Sequence, residues 1–148
     1  CIRDRLFIAK SFKKINRKLT IDDLGYLIGP VLNSGGRLGK SKLATKLLIS
    51  ENKKDIEKIS EELIFTNEKR KIIEDSTLEK IERKIGLNKN YIFHVEEYIS
   101  EGILGILAAR LAEKYNKPVI LATYSGNVIK GSARSIEEID IGKILLNL

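Results

Sequence analysis

Two stretches of the chain carry residue types that could do chemistry. The first is Lys130-Gly131-Ser132-Ala133-Arg134-Ser135, which follows the β-branched pair Val128-Ile129. Ser132 and Arg134 stand two residues apart, so an extended backbone points both to one face. A planar guanidinium beside a hydroxyl suits a phosphate. Gly131 has no Cβ to hold a ligand away from the main chain. Apolar alternation stops where these polar residues begin, which predicts a strand that delivers a small anion-binding group to the rim of a sheet. A solvated hairpin end would carry the same residues, and this stretch by itself leaves both readings open.

The second stretch is Asn33-Ser34-Gly35-Gly36-Arg37-Leu38-Gly39-Lys40-Ser41, read as a glycine-rich loop. It approaches a phosphate-binding P-loop but misses it by one position. That pattern needs glycine five residues before the glycine of Gly-Lys-Ser, and Ser34 stands there. A P-loop also follows a strand, whereas helical sequence precedes Asn33, so a nucleotide-hydrolysing site is excluded. Metal chemistry has little material. The chain holds one cysteine and one histidine, with no paired-cysteine motif for zinc. His94, in mid-strand, reads as packed or solvated rather than as a ligand. Glu96 and Glu97 are acidic, but no second cluster stands at ligand spacing.

The elements that must position these stretches follow from periodicity. Residues 1 to about 18 are strongly basic, with Arg3, Arg5, Lys10, Lys13, Lys14, Arg17 and Lys18 against Asp4. Their apolar spacing is helical, and a solvated face is the favoured reading over a nucleic-acid contact. Thr20 is placed to cap a helix over Ile21 to about Leu32, with Pro30 expected to end or kink it. A short helix follows over residues 41 to 49, with Leu43, Leu47 and Leu48 as its apolar positions. A long charged helix without proline or glycine then runs from Lys53 to Ile85 and stops at Gly86. At ~1.5 Å per residue it would reach ~50 Å, which favours a connector between two domains over an isolated coiled coil. Tyr91–Val95 and Pro118–Thr123 read as strands, and Ser100 caps a helix to Tyr115 between them. Ile103, Ile106, Leu107, Ala108, Leu111 and Ala112 are its expected buried side. Strand, helix, strand predicts a βαβ unit with parallel strands. A tight turn at Ser125-Gly126-Asn127 then leads to a third strand over Val128–Lys130. Gly102 and Gly105 are read mainly as helix-to-sheet packing positions. Ile141, Ile144, Leu145 and Leu148 begin one more amphipathic helix. A start without methionine and this unfinished stripe predict a segment of a longer protein.

Composition sets the outer bounds. A net charge of +7 and a pI near 9.4 permit an anionic partner. The excess is lysine, 19 against 8 arginines, which base composition in the gene would also produce. A lone cysteine excludes an internal disulfide framework and fits a reducing compartment, which predicts a cytoplasmic protein. The apolar run near Ile103 is broken by Arg110, well short of the ~20 residues that span a bilayer.

Three ordered segments resemble the RecJ family of single-strand-specific 5′-to-3′ DNA exonucleases, within the wider DHH phosphoesterase group. Pro30–Leu38 is similar to that family's Pro-Arg-Leu-Asn-Ala-Ala-Gly-Arg-Leu. Glu101–Leu111 is similar to its Glu-Gly-Val-Ile-Gly-Ile-Val-Ala-Ala-Arg-Leu, and Lys130–Ile136 to its Lys-Gly-Ser-Gly-Arg-Ser-Ile. The resemblance implies an α/β chain in three parts. Residues 1–50 would be the end of a DHH catalytic domain, 51–87 a connector helix, and 88–148 the start of the DHH-associated substrate domain. Single-stranded DNA would lie in a cleft between the two domains. Asn33, Gly36 and Arg37 would line it. Ser132 and Arg134, with Lys130, Gly131 and Ser135, would hold the 5′-phosphate end. The resemblance further implies Mn²⁺ or Mg²⁺ as cofactor, and single-strand-binding protein or a helicase as candidate protein partners. Ile99-Ser100 departs from the family's Trp-His. The family's metal-binding Asp and His motifs would lie ahead of Cys1 and its Gly-Gly-His motif beyond Leu148, so no catalytic residue is assigned here. Two rival readings are a non-catalytic nucleic-acid-binding module left from a truncated DHH protein, and a DHH phosphodiesterase acting on short oligonucleotides.

Overall fold

The computed structural model describes Lys18 and residues 20–147. The basic helix expected over residues 1 to 18 lies, apart from Lys18, outside the described residues, as does Leu148. Two compact units divide between Ile72 and Ile73.

In the first unit, helical structure begins at Ile21. The backbone N–H and hydroxyl of Thr20 both donate to one carboxylate oxygen of the buried Asp23, at 2.8 and 3.0 Å. The N–H bond is one half of a capping box. Pro30 does not end the helix. A π-helical segment, Asp23–Ile28, leads directly into α1, Gly29–Arg37, and the Gly29 N–H donates to the Leu24 carbonyl five residues back. Proline lacks a donor and crowds the preceding turn, and the wider π turn accommodates both defects.

Asn33 to Arg37 are therefore helical rather than a loop. The cause is tertiary packing. The Ser34 hydroxyl, fully buried, donates to the Val31 carbonyl at 2.6 Å and lies 3.2 Å from the Leu63 carbonyl of the long helix. Gly35 packs beside Leu63, and a side chain there would meet the Lys40 carbonyl oxygen. The helix closes at Gly39, in the left-handed region with φ +77°, with the Lys40 N–H donating to the Gly35 carbonyl as in a Schellman motif. Helix α2, Lys42–Ile49, and helix α3, Lys53–Glu82, complete the unit's core of Val31, Leu47, Ile56 and Leu63. Leu48, expected inside, is exposed. Helix α3 has 30 residues and spans ~45 Å at ~1.5 Å each.

The second unit holds the sheet. Strand β1, Ile92–Val95, pairs in parallel with β2, Val119–Ser125, and helix α4, Glu101–Tyr115, forms the crossover. Strand β3, Val128–Arg134, returns antiparallel along β2 after the two-residue turn Gly126-Asn127. The order is β1-β2-β3, which leaves β3 as an edge strand. Ile103, Leu104, Leu107 and Leu111 of α4 pack on Ile92, Val119 and Leu121, with Leu78 and Ile81 from the last turns of α3. Leu104 takes the buried place expected of Ile106, which is half-exposed. Helix α5, Ile141–Leu146, is capped by the Asp140 carboxylate and buries Ile141.

The packing at Gly35 separates two neighbouring glycines. A Cβ on Gly35 would stand 2.7 Å from the Lys40 carbonyl oxygen, which is backbone, whereas Gly36 has nothing within 4 Å. Gly35→Ala is expected to destabilise by ~1–3 kcal/mol. Gly36→Ala should be neutral or stabilising by up to about 1 kcal/mol. Urea unfolding midpoints of the two variants check the contrast.

Candidate nucleic-acid interface

Strand β3 runs four residues further than its apolar pattern indicates, so Gly131 to Arg134 lie within it instead of following its end. Alternation then places Lys130, Ser132 and Arg134 on the face that α4 covers. Gly105 is where the helix and this row meet. A Cβ built there would lie 3.0 Å from Arg134 Nη2 and 3.4 Å from Ser132 Oγ. The missing side chain thus leaves the volume that the guanidinium and hydroxyl occupy. Arg134 Nη1 donates to its neighbour's carbonyl, on Ala133, at 2.9 Å and lies 3.4 Å from Ser132 Oγ. The two groups expected to face a phosphate together are brought together.

Lys130 is engaged by a residue outside the expected site. Its ammonium lies 3.0 Å from both carboxylate oxygens of Glu101, on the first turn of α4. The Ser125 hydroxyl donates to the same carboxylate at 2.6 Å. That hydrogen bond, then the one from Lys130, holds the Glu101 carboxyl below the usual carboxylate range. In sequence, Glu101 reads as a first-turn acid that complements the helix dipole. Its lysine partner lies 29 residues away and has no local signal.

The remaining expected residues are placed as follows. Gly131 turns to the opposite face of the sheet, 3.1 Å by its Cβ position from the Leu121 carbonyl oxygen. The Ser135 hydroxyl accepts the Ile141 N–H at 3.0 Å, tying the end of β3 to α5. Asn33, Gly36 and Arg37 lie three and four residues apart on one side of α1, away from the buried Val31, Ser34 and Gly35. They belong to the first unit and Lys130 to Ser135 to the second.

The ionisable groups do not form a metal-ligand set. His94 Nε2 stands 3.0 Å from Glu96 Oε2, and Lys84 Nζ reaches both oxygens of Glu96 at 2.8 and 2.9 Å. Hydrogen bonds from Lys84 and then His94 hold the Glu96 carboxyl below its ordinary range. Among the described residues no three His, Cys, Asp or Glu side chains converge where they could hold a metal ion. Nor is any helix among them long and apolar enough to cross a membrane. The row on β3 supplies cationic and hydroxyl donors, the chemistry that suits an anion.

Residues 88–148 match the DHHA1 domain, and with the βαβ-plus-hairpin sheet this defines the second unit as a domain of that class. The chain is 35% identical to the single-stranded-DNA-specific exonuclease RecJ of Haemophilus influenzae, over 95% of this chain and 26% of the relative. Its identity to the Escherichia coli protein of the same name is 33%, over 82% of this chain and 22% of the relative. The crystal structure of RecJ from Thermus thermophilus in complex with Mg²⁺ superposes with a TM-score of 0.82 at 23% identity, covering 97% of this chain and 22% of that one. Over most of its length the chain is thus similar to a segment of RecJ proteins. It spans roughly a quarter of the length of these curated relatives.

Two measurements check the site's construction. In Gly105→Ala the new methyl meets the far end of a flexible side chain, so thermal stability should hold while Arg134 moves. A change in the Arg134 Nε–Hε resonance, with little change in Tm, is the expected result. For Glu101, a carboxyl pKa lowered on folding contributes stability above its unfolded value and loses it as pH falls through the lowered folded value. Ser125→Ala removes the leading cause, so the Glu101 carboxyl should titrate at higher pH in that variant, as followed by its ¹³C resonance.

Proposed function

We propose that this chain is the part of a 5′-to-3′ single-stranded-DNA exonuclease that engages the DNA and its 5′-phosphate end. The parent reaction is phosphodiester hydrolysis in DNA repair and recombination. The observation that carries the reading is the row Lys130, Ser132 and Arg134 on one strand face, with Gly105 leaving room above it. Arg134 supplies a forked, permanently charged donor and Ser132 a hydroxyl at the same place, which is the donor chemistry of a terminal phosphate. Lys130, released from or shared with Glu101, adds a second cation. Asn33, Gly36 and Arg37, on the outward side of α1, are assigned to contacts with the strand. The net charge of +7 acts in the same direction by attracting a polyanion.

Related RecJ structures are described as complexes with Mg²⁺ and with Mn²⁺. The described residues do not fit such a centre: His94 is engaged with Glu96 and Glu96 with Lys84, and no three His, Cys, Asp or Glu side chains among them could hold a metal ion. The role we assign to the described residues is positioning, by holding the strand in register for hydrolysis. The relatives named for single-stranded-DNA specificity make single-stranded DNA the substrate class assigned to this chain.

Arg134→Ala tests the end-binding role. Losing a charged donor to a terminal phosphate should weaken binding of a 5′-phosphorylated oligonucleotide on the order of tenfold. Binding of the same oligonucleotide with a 5′-hydroxyl should change little. Fluorescence anisotropy with the two labelled strands measures both, and equal losses would remove the role.

A further inference from the structure

We propose that Glu101 is a positioning residue of the end site that acts through Lys130. Its carboxylate holds the lysine ammonium in the free chain and yields it to the terminal phosphate when a 5′ end arrives. This rests on the end-binding reading above and deepens it.

Helix α4 and strand β3 meet along two successive contacts. Gly105 lies against Ser132 and Arg134, and Glu101 lies against Lys130. Glu101 is four residues before Gly105, so both stand on one side of the helix. The steps on the two elements match: a helical turn rises ~5.4 Å, and two strand residues span ~6.6 Å. A lysine on its flexible four-carbon stem covers such a step. The Lys130 ammonium can therefore pass from the carboxylate to a phosphate seated between Ser132 and Arg134.

The contact is closely made, yet it adds little to the fold. Lys130 Nζ lies 3.0 Å from both Glu101 oxygens, and the Ser125 hydroxyl on β2 donates to one of them at 2.6 Å. Lys130 and Glu101 are nevertheless 52% and 49% exposed, and ion pairs so open to water contribute little stability. What the contact does is occupy the ammonium. A terminal phosphate monoester carries roughly −1.5 to −2 charges at pH 7 and three strong acceptor oxygens, so it displaces a singly charged carboxylate. An internal phosphodiester is itself singly charged and has no such advantage. Lys130 thus joins Ser132 and Arg134 at a strand end, and Glu101 takes it back when the end leaves. The end is held less tightly than by the same donors without the carboxylate, which suits a site that must release one 5′ end and take the next.

The test uses the whole 148-residue chain with one labelled single-stranded oligonucleotide in 5′-phosphorylated and 5′-hydroxyl forms. Glu101→Gln keeps the size of the side chain and removes its charge. Binding of the phosphorylated strand should strengthen about fivefold, and that of the hydroxyl strand by less. The slope of log affinity against log salt should steepen by about 0.7 for the phosphorylated strand. The reason is that no displaced carboxylate then takes up a cation as Lys130 neutralises the phosphate. In a Lys130→Gln background the same Glu101→Gln change should lose most of its effect. In the unaltered chain, the Glu101 carboxyl ¹³C resonance should move on saturation with the phosphorylated strand and stay in place with the hydroxyl strand. No gain, an equal gain on both strands, or a gain undiminished without Lys130 would overturn the exchange. Arg134→Ala still separating the two strands would then leave the end-binding reading standing. If neither the unaltered chain nor Glu101→Gln distinguishes the strands, both readings fall.

Discussion

The close approach of α4 to β3 at Gly105 is the constraint on which the site depends. A helix packed on an edge strand normally fills the space above that strand with its own side chains. Here one position is empty, and two side chains from the strand enter it. Arg134 and Ser132 consequently sit against a rigid helix instead of ranging through solvent, which lowers the ordering cost of any anion contact they make. The core behind them, from Leu104 to Leu121, holds the helix at that distance.

Charge at the site is balanced by a residue on the same helix. One turn before Gly105, Glu101 faces Lys130 and takes the Ser125 hydroxyl. The cationic row is therefore moderated at one end and unmoderated by that carboxylate at the other, where Arg134 lies. On the proposed end-binding role, such an acidic residue would reduce indiscriminate attraction of polyanions while orienting the lysine. Exposed pairs of this type contribute little to stability, so the arrangement matters for binding more than for folding.

Much of the second unit was legible in the sequence. Apolar runs bounded by turn residues, with a helical period between them, led to the parallel pair β1 and β2, and the two-residue spacing of Ser132 and Arg134 put them on one face. The first unit was less legible. Asn33 to Arg37 carry a serine and two glycines, whose intrinsic preferences oppose a helix. They are helical because Ser34 and Gly35 fit against Leu63, a neighbour 28 or 29 residues on that no local pattern reveals. The passage of the helix through Pro30 depends on a π turn that has no sequence signature. Strand β3 extends past its apolar pattern because an edge strand need not alternate apolar and polar residues. Glu101 was visible as part of a motif, but its role required the crossover to bring β2 and β3 to it.

The hairpin turn Gly126-Asn127 does more than join two strands. Side chains alternate across a strand, so displacing the pairing of β3 by one residue turns every one of its side chains over. Lys130, Ser132 and Arg134 would then face away from α4, and Gly131 and Ala133 would take their places. The length of this turn is therefore part of the site, although neither residue touches it. Insertions and deletions of a single residue, ordinarily tolerated best in short exposed loops, are the changes this loop can least accept. Sequence drift among related chains should accordingly alter the identity of the turn residues far more freely than their number.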